Sequence, residues 1–390
     1  MGEPALNANW NYPTSVRFGA GRIAELPQAS QELGIARPLL VTDPGLAKLP
    51  IVQQAIERNE HAGLATGVFT DIKPNPIGQN VDDGLRRYRD GNYDGVIAFG
   101  GGSALDAGKA IAFMAGQTRS MWDFEDVGDN WKAARIDGIA PIIAVPTTAG
   151  TGSEVGRAAV ILNEASTTKK VIFHPRMLPS IVIADPELTV GLPRKITAAT
   201  GMDALAHCLE AYCVSFYHPM ADGIAVEGMR LIKESLPRAV EDGHDLAARA
   251  HMMTAASMGA TAFQKGLGAI HALSHPVGAL YDTHHGLTNG VFMPYVLAFN
   301  RDAVDGKLAR LAAWLGLPNP SFQSVMDWVL QLREQIEIPH TLTDLGVGSD
   351  RLDELSQMAA VDPTAPGNPV PIGVAELKSL FVHAIEGRLP

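Results

Sequence analysis

Five short apolar runs in the first half of the chain restrict its architecture more than any other feature. They are Arg37 to Thr42 (RPLLVT), Thr66 to Phe69, Gly95 to Phe99 (GVIAF), Ile139 to Val145 (IAPIIAV) and Ser180 to Ala184 (SIVIA), with helical patterns between them. Several stop abruptly at Gly, Asp or Pro. Near-continuous apolar strands are those buried on both faces, so the alternation predicts a doubly wound parallel sheet. After about Pro193 the strand signals cease and long Ala-, Leu- and Met-rich segments with helical period take over, for example Ala221 to Leu236 and Leu246 to Ala262. With 390 residues, 46% of them hydrophobic, there is material for two cores. We expect an α/β domain over residues 1–192 and an all-helical domain over residues 193–390. Ligands of such sheets bind beyond the C-terminal ends of the strands, which makes a cleft between the halves the expected site.

Charge narrows the partners. A formal net charge of −11 opposes nucleic-acid and anionic-membrane binding, both of which need a basic face, and favours a small-molecule partner. Only Cys208 and Cys213 are present, without CxxC spacing, so disulfides are not expected and a reducing, cytoplasmic location is. The opening MGEPALNANW has no signal-peptide pattern, and no apolar run approaches the roughly 18 residues of a membrane span.

Two turns suit phosphate. The strand GVIAF runs into Gly100, Gly101, Gly102 and Ser103, and ALDAGKAIAFMAG then reads as a helix, so exposed backbone N–H groups and the helix dipole could hold a pyrophosphate. The spacing matches neither a Walker A loop nor GxGxxG. A second polar turn, PTTAGTGSE, follows the IAPIIAV strand. Asp43 ends the RPLLVT strand, where a carboxylate can accept from ribose hydroxyls and repel a 2′-phosphate, selecting NAD over NADP; an ordinary Asp-Pro turn is the simpler reading.

Four of the chain's twelve histidines fall in GLGAIHALSHPVGALYDTHHG, residues 266 to 286. Asp203 and His207, four apart in ITAATGMDALAHCLEAY, share one helix face and could serve one metal. His271 and His285 would be about 21 Å apart on an unbroken helix, far beyond a shared ion, so the helix must break between them. Pro276 and Gly278 are the expected break. His271 and His275 form another i,i+4 pair, so spacing alone leaves the ligands unassigned.

GGGSALDAGKA, PTTAGTGSEV, TGMDALAHCLEAY and GAIHALSHPVGALYDTHHG together resemble, in order and spacing, the iron-containing (group III) alcohol dehydrogenases, which include lactaldehyde and propanediol oxidoreductases. The resemblance covers nearly the whole chain and implies a Rossmann-like sheet domain followed by a helical one. It implies metal ligands at Asp203, His207, His271 and His285, and a proton-relay histidine at His275. For the cofactor it implies Asp43, Asn75, Gly101, Gly102, Ser103, Asp106, Thr147, Thr148 and Leu188, with Lys169 less secure because Lys170 adjoins it. His284 stands where the family usually has Pro, leaving a one-residue ambiguity that Gly286 resolves toward His285.

The activity implied by this resemblance is that of an NAD(H)-dependent enzyme using Fe²⁺, or Zn²⁺, to interconvert a small alcohol and its aldehyde or ketone by hydride transfer. Glycerol dehydrogenases and dehydroquinate synthases are alternatives on a similar fold, maleylacetate reductases lack the full metal set, and a non-catalytic NAD or metal binder is the reading from another class. Trp122, Phe124, Phe263 and Tyr281 are candidate pocket aromatics or simply core. NYPTSVRFG resembles the family's dimer-forming strand, which implies a homodimer or larger assembly.

Overall fold

The computed structural model of the chain describes residues 14–390; MGEPALNANW and the start of NYPTSVRFG lie outside the described residues. The chain divides into two compact units, the first reaching to Thr148 and resuming at Gly152–Gly191, the second formed by Ala149–Thr151 with Leu192–Pro390.

The first unit holds strands β1 (Ser15–Phe18), β2 (Pro38–Val41), β3 (Gly67–Phe69), β4 (Gly95–Gly100), β5 (Ile142–Pro146), β6 (Ala158–Asn163), β7 (Thr168–Phe173) and β8 (Ile181–Ala184). Its helices are α1 (Leu26–Glu32), α2 (Pro50–His61), α3 (Gly78–Asp90) and α4 (Gly102–Met114). Six strands form one sheet in the order β1-β8-β5-β4-β2-β3, every pair parallel. Successive side chains of a strand point to opposite faces, and both faces here are covered. Leu39, Val41, Val96 and Ile142 enter one core with α3 and α4, while Leu40, Ile97, Phe99, Ile143 and Val145 enter the other with α1 and α2. Each such side chain, removed from water, contributes about 1.5 to 3 kcal/mol. That two-sided burial is why the strands read as unbroken apolar runs. β6 and β7 form a separate antiparallel hairpin that the sequence pattern does not announce.

The second unit is helical: α5 (Arg194–Cys213), α6 (Pro219–Glu241), α7 (Leu246–Ala262), α8 (Ala269–Tyr281), α9 (His285–Trp314), α10 (Phe322–Gln335), α11 (Leu352–Ala360) and α12 (Val374–Glu386). No described helix is long and apolar enough to cross a membrane. One expectation is corrected here. The helix carrying His271 runs straight through Pro276 and Gly278, and the break comes at 282–284, where Asp282 takes the left-handed φ of 52°. A proline removes one helical hydrogen bond, but α8 is buried along 269–274 and 276–278 and packs on α9 and α11, and that burial outweighs the local loss. Asp is among the few residues that tolerate the left-handed region, which lets the chain turn and start α9 at His285.

Candidate active site

In the sheet unit the phosphate turns stand side by side. β4 and β5 are neighbours with Gly100 opposite Pro146, the Thr147 N–H donates to the Gly100 carbonyl at 3.0 Å, and a Cβ on Gly101 would lie 3.2 Å from the Thr148 methyl. Gly102 opens α4, so its N-terminus faces the same strand ends. β2, on the other side of β4, ends beside Asp43. Asp43 Oδ1 accepts from the Gly45 and Leu46 N–H groups, both at 2.9 Å, so the Asp-Pro turn is present and one carboxylate oxygen builds it. Ser103 Oγ donates to the Pro74 carbonyl, which ties the glycine turn to Asn75. The sheet order reverses between β2 and β4, the position where open α/β sheets bind ligands.

Three expected cofactor residues are placed differently from their neighbours. Asp106 accepts from Ser153 Oγ at 2.5 Å and from the Val160 N–H at 2.9 Å, and pairs with the buried Lys109 at 3.1 Å. Its carboxylate therefore clamps α4 to the segment after β5. Leu188 is buried in the core shared by Ile183 and Val145. On β7, Lys170 is held by Glu125 at 2.8 and 3.0 Å while Lys169 projects to the opposite face, which separates the two lysines.

In the helical unit three helices bring one carboxylate and three imidazoles together. Asp203 and His207 lie one turn apart on α5, His271 comes from α8, and His285 is the first residue of α9. The Nε2 atoms of His285, His207 and His271 lie 3.5, 3.8 and 3.9 Å from Asp203 Oδ1. Asp203, His207 and His271 are buried, and their ligand atoms fall within 4.8 Å of one another. Burial pushes the His207 imidazole down to about 4 against the pull of Asp203, so its lone pair is available near neutrality. Burial also acts against His271, but Glu210 and then Asp203 and Asp362 outweigh it and hold that imidazole above its ordinary value. Gly286 permits the approach: a Cβ there would lie 2.1 Å from the Ala199 carbonyl oxygen of α5.

Residues 13–186 match the family described as iron-containing alcohol dehydrogenase, and residues 197–385 match its C-terminal domain. The chain belongs to the iron-containing alcohol dehydrogenase family. It is 39% identical over 386 residues to 4-hydroxybutyrate dehydrogenase of Cupriavidus necator, covering 96% of this chain and 99% of that one. With NAD-dependent methanol dehydrogenase of Bacillus methanolicus it shares 33% over 384 residues, 97% of this chain and 100% of the other. The crystal structure of a 1,3-propanediol oxidoreductase superposes with a TM-score of 0.92 at 35% identity, covering 97% and 100% of the two chains.

The cluster fits the family's metal. Ligand atoms about 2.1 Å from a tetrahedral ion stand about 3.4 Å apart, close to the 3.5 to 3.9 Å that separate the three Nε2 atoms from Asp203 Oδ1. Asn289 Nδ2 already occupies the focus of these acceptors, 2.8 Å from Asp203 Oδ1 and 3.2 Å from the Nε2 atoms of His271 and His285, and its own buried Oδ1 has no hydrogen-bond partner. A set of acceptors, three of them buried, with one amide donor among them is poised for a cation.

His275 is set apart from the four clustered side chains. Its ring stacks on His285 at 5.4 Å and meets His271 edge-on at 5.8 Å, while its Nδ1 lies 2.8 Å from Asp362 Oδ2. His284 is exposed and immediately precedes α9. Of the candidate pocket aromatics, Phe263 meets His207 edge-on at 5.1 Å, Phe124 is core against Phe113, and Tyr281 donates to Asp350. Sequence reasoning missed three residues. Glu210 accepts from the Ile270 N–H at 2.7 Å and pairs with His271 Nδ1 at 2.5 Å. It lies three residues after His207, and Asn289 four after His285, so helical spacing from an expected ligand could have found both. Asp362, from the distant segment after α11, left no such signal.

Proposed function

We propose that the chain is an NAD(H)- and metal-dependent oxidoreductase that interconverts a small alcohol with its aldehyde or ketone by hydride transfer. The observation that carries this is the convergence of Asp203, His207, His271 and His285 in a member of the iron-containing alcohol dehydrogenase family. Three imidazoles and a carboxylate without thiolate suit Fe²⁺, with Zn²⁺ as the substitute. When bound, a divalent ion in this set supplies Lewis acidity toward an alcohol or carbonyl oxygen, and NAD supplies the hydride acceptor. The chain's own residues do the rest. Gly101, Gly102, Ser103, Thr147 and Thr148 cradle the pyrophosphate, aided by the α4 dipole. Asn75 and Lys169 flank that site. Asp43 keeps Oδ2 for ribose hydroxyls and repels a 2′-phosphate. His275 accepts the alcohol proton.

The names of the relatives, acting on methanol and 4-hydroxybutyrate, support a short primary alcohol as substrate. A homodimer in the cytoplasm completes the reading. It is supported by the edge strand β1, whose Val16 and Phe18 are exposed, and by two free buried thiols. The test is a panel of short alcohols, diols, hydroxy acids and their aldehydes with protein whose metal content has been measured. Steady NADH formation from at least one alcohol is expected. Full metal and NAD occupancy without any NADH would leave a binding protein, and carbon–oxygen elimination without net NADH would leave a lyase.

A further inference from the structure

Asp362 lies on the loop after α11, 87 residues from His275 in sequence, yet it is hydrogen-bonded to it at 2.8 Å. The carboxylate is locked from its other side. Oδ1 accepts from the Thr364 N–H at 2.9 Å and from Thr364 Oγ1 at 2.5 Å, so Oδ2 cannot leave His275 without breaking both bonds. The side chains of His275 and Asp362 are only 13% and 8% exposed. This is a built arrangement, because each carboxylate oxygen has its own donors and one role available to it.

We propose that Asp362 is the positioning residue of the proton-transfer step, fixing His275 as the Nδ1–H tautomer so that Nε2 is the nitrogen that accepts the alcohol proton. The proposal rests on the alcohol dehydrogenase reading above. An ionised carboxylate only accepts, so the ring nitrogen facing it must carry hydrogen. Neutral imidazole has one N–H, which leaves the lone pair on Nε2, on the ring edge away from Asp362. During alcohol oxidation the O–H bond breaks, its electron pair stays on oxygen, and the proton forms a new bond to Nε2. The hydride leaves carbon for NAD in the same turnover. The imidazolium so formed is paired with Asp362 until the proton passes to solvent. The same carboxylate thus orients the base and stabilises its charged form.

The arrangement makes an unusual demand on an amide at this position. In Asp362→Asn the single side-chain oxygen remains with the two Thr364 donors, so the NH₂ group faces His275 Nδ1. That nitrogen must then accept, the hydrogen moves to Nε2, and the base faces the wrong way.

The experiment combines kinetics with ¹⁵N NMR of imidazole-labelled, zinc-loaded protein, using His275→Ala to assign the resonances. In the parent protein the His275 Nδ1 should show the protonated signature and Nε2 the unprotonated one. In Asp362→Asn the two should exchange, kcat for alcohol oxidation should fall by roughly 10² to 10⁴, and KM and metal content should stay within a few-fold. A parent protein whose neutral His275 carries its hydrogen on Nε2, or a fully metallated Asp362→Asn enzyme with near-normal kcat, would overturn the proposal. If that variant fails to fold, the parent spectrum still decides. Because the spectrum needs no substrate, it separates failure here from failure of the dehydrogenase reading, which shows as a parent that oxidises no alcohol.

Discussion

At the scale of single residues, the site depends on a few oriented groups, and each can be tested alone. Glu210 holds His271 by Nδ1 and the backbone of Ile270, so it fixes which nitrogen His271 turns toward Asp203. Glu210→Gln should weaken metal binding by about 10- to 100-fold, as loss of such a supporting carboxylate usually does, and metal titration in a competing chelator would read it. His285→Ala should lose the metal and turnover together, whereas His284→Ala, an exposed residue, should keep both. Metal content that followed His284 instead would move the ligand by one residue. For Asp43→Gly, NADP use should improve relative to NAD by about 1 to 3 kcal/mol, measured as the ratio of kcat/KM values. Equal use of both cofactors by the parent would remove Asp43 from that role.

At the scale of elements, the register of α9 against α5 decides whether the four candidate ligands meet. Its first residue is His285 and its second is the glycine that lets the helix touch the α5 backbone. In Gly286→Ala the new methyl would collide with a carbonyl oxygen rather than a flexible side chain, so the helices must separate. A loss of about 1 to 3 kcal/mol in stability is expected, together with weaker metal binding even though Asp203, His207, His271 and His285 are all still present. Thermal unfolding of the metal-free protein and metal titration of the refolded protein measure the two effects separately. An unchanged metal affinity would show that α9 can shift without moving His285. The turn at Asp282 belongs to the same scale, since it replaces the break expected at Pro276 and lets α9 pack on α8.

For the whole molecule, burying His207 and His271 makes stability depend on acid. The folded protein resists protonating His207 until about pH 4, whereas the unfolded chain takes up that proton near pH 6.5. Below 6.5 the unfolded state therefore binds more protons, and stability falls as pH drops. The loss from this group, without metal, is on the order of 3 kcal/mol between pH 6.5 and 4. His271 has the opposite sign: because it is held above its ordinary value in the fold, its contribution is fully present below that ordinary value and is lost as pH rises through the raised one. Denaturant unfolding of metal-free parent and His207→Gln across this range isolates the first effect, because the variant lacks only the His207 contribution. Parallel curves would mean that His207 becomes protonated in the folded state.

Much of this protein was legible in its sequence because the signals are local. Strands buried on both faces show as apolar runs, glycine turns follow them directly, and the Asp203–His207 pair sits at the spacing of one helical turn. The β6–β7 hairpin escaped because its strands are mostly half-buried and carry no continuous apolar run. Tertiary structure decided the rest. Burial of α8 carried a helix through Pro276, packing of α9 on α5 separated His285 from His284, and an ion pair with Glu125 distinguished Lys170 from Lys169. Above all, His271 and His275 are the same residue type on the same helix, and only the segments folded against them differ. Asp203 and Glu210 of α5 face one, Asp362 faces the other, and those pairings across the fold, which no local spacing encodes, put His271 in the candidate metal cluster and His275 against a carboxylate beside it.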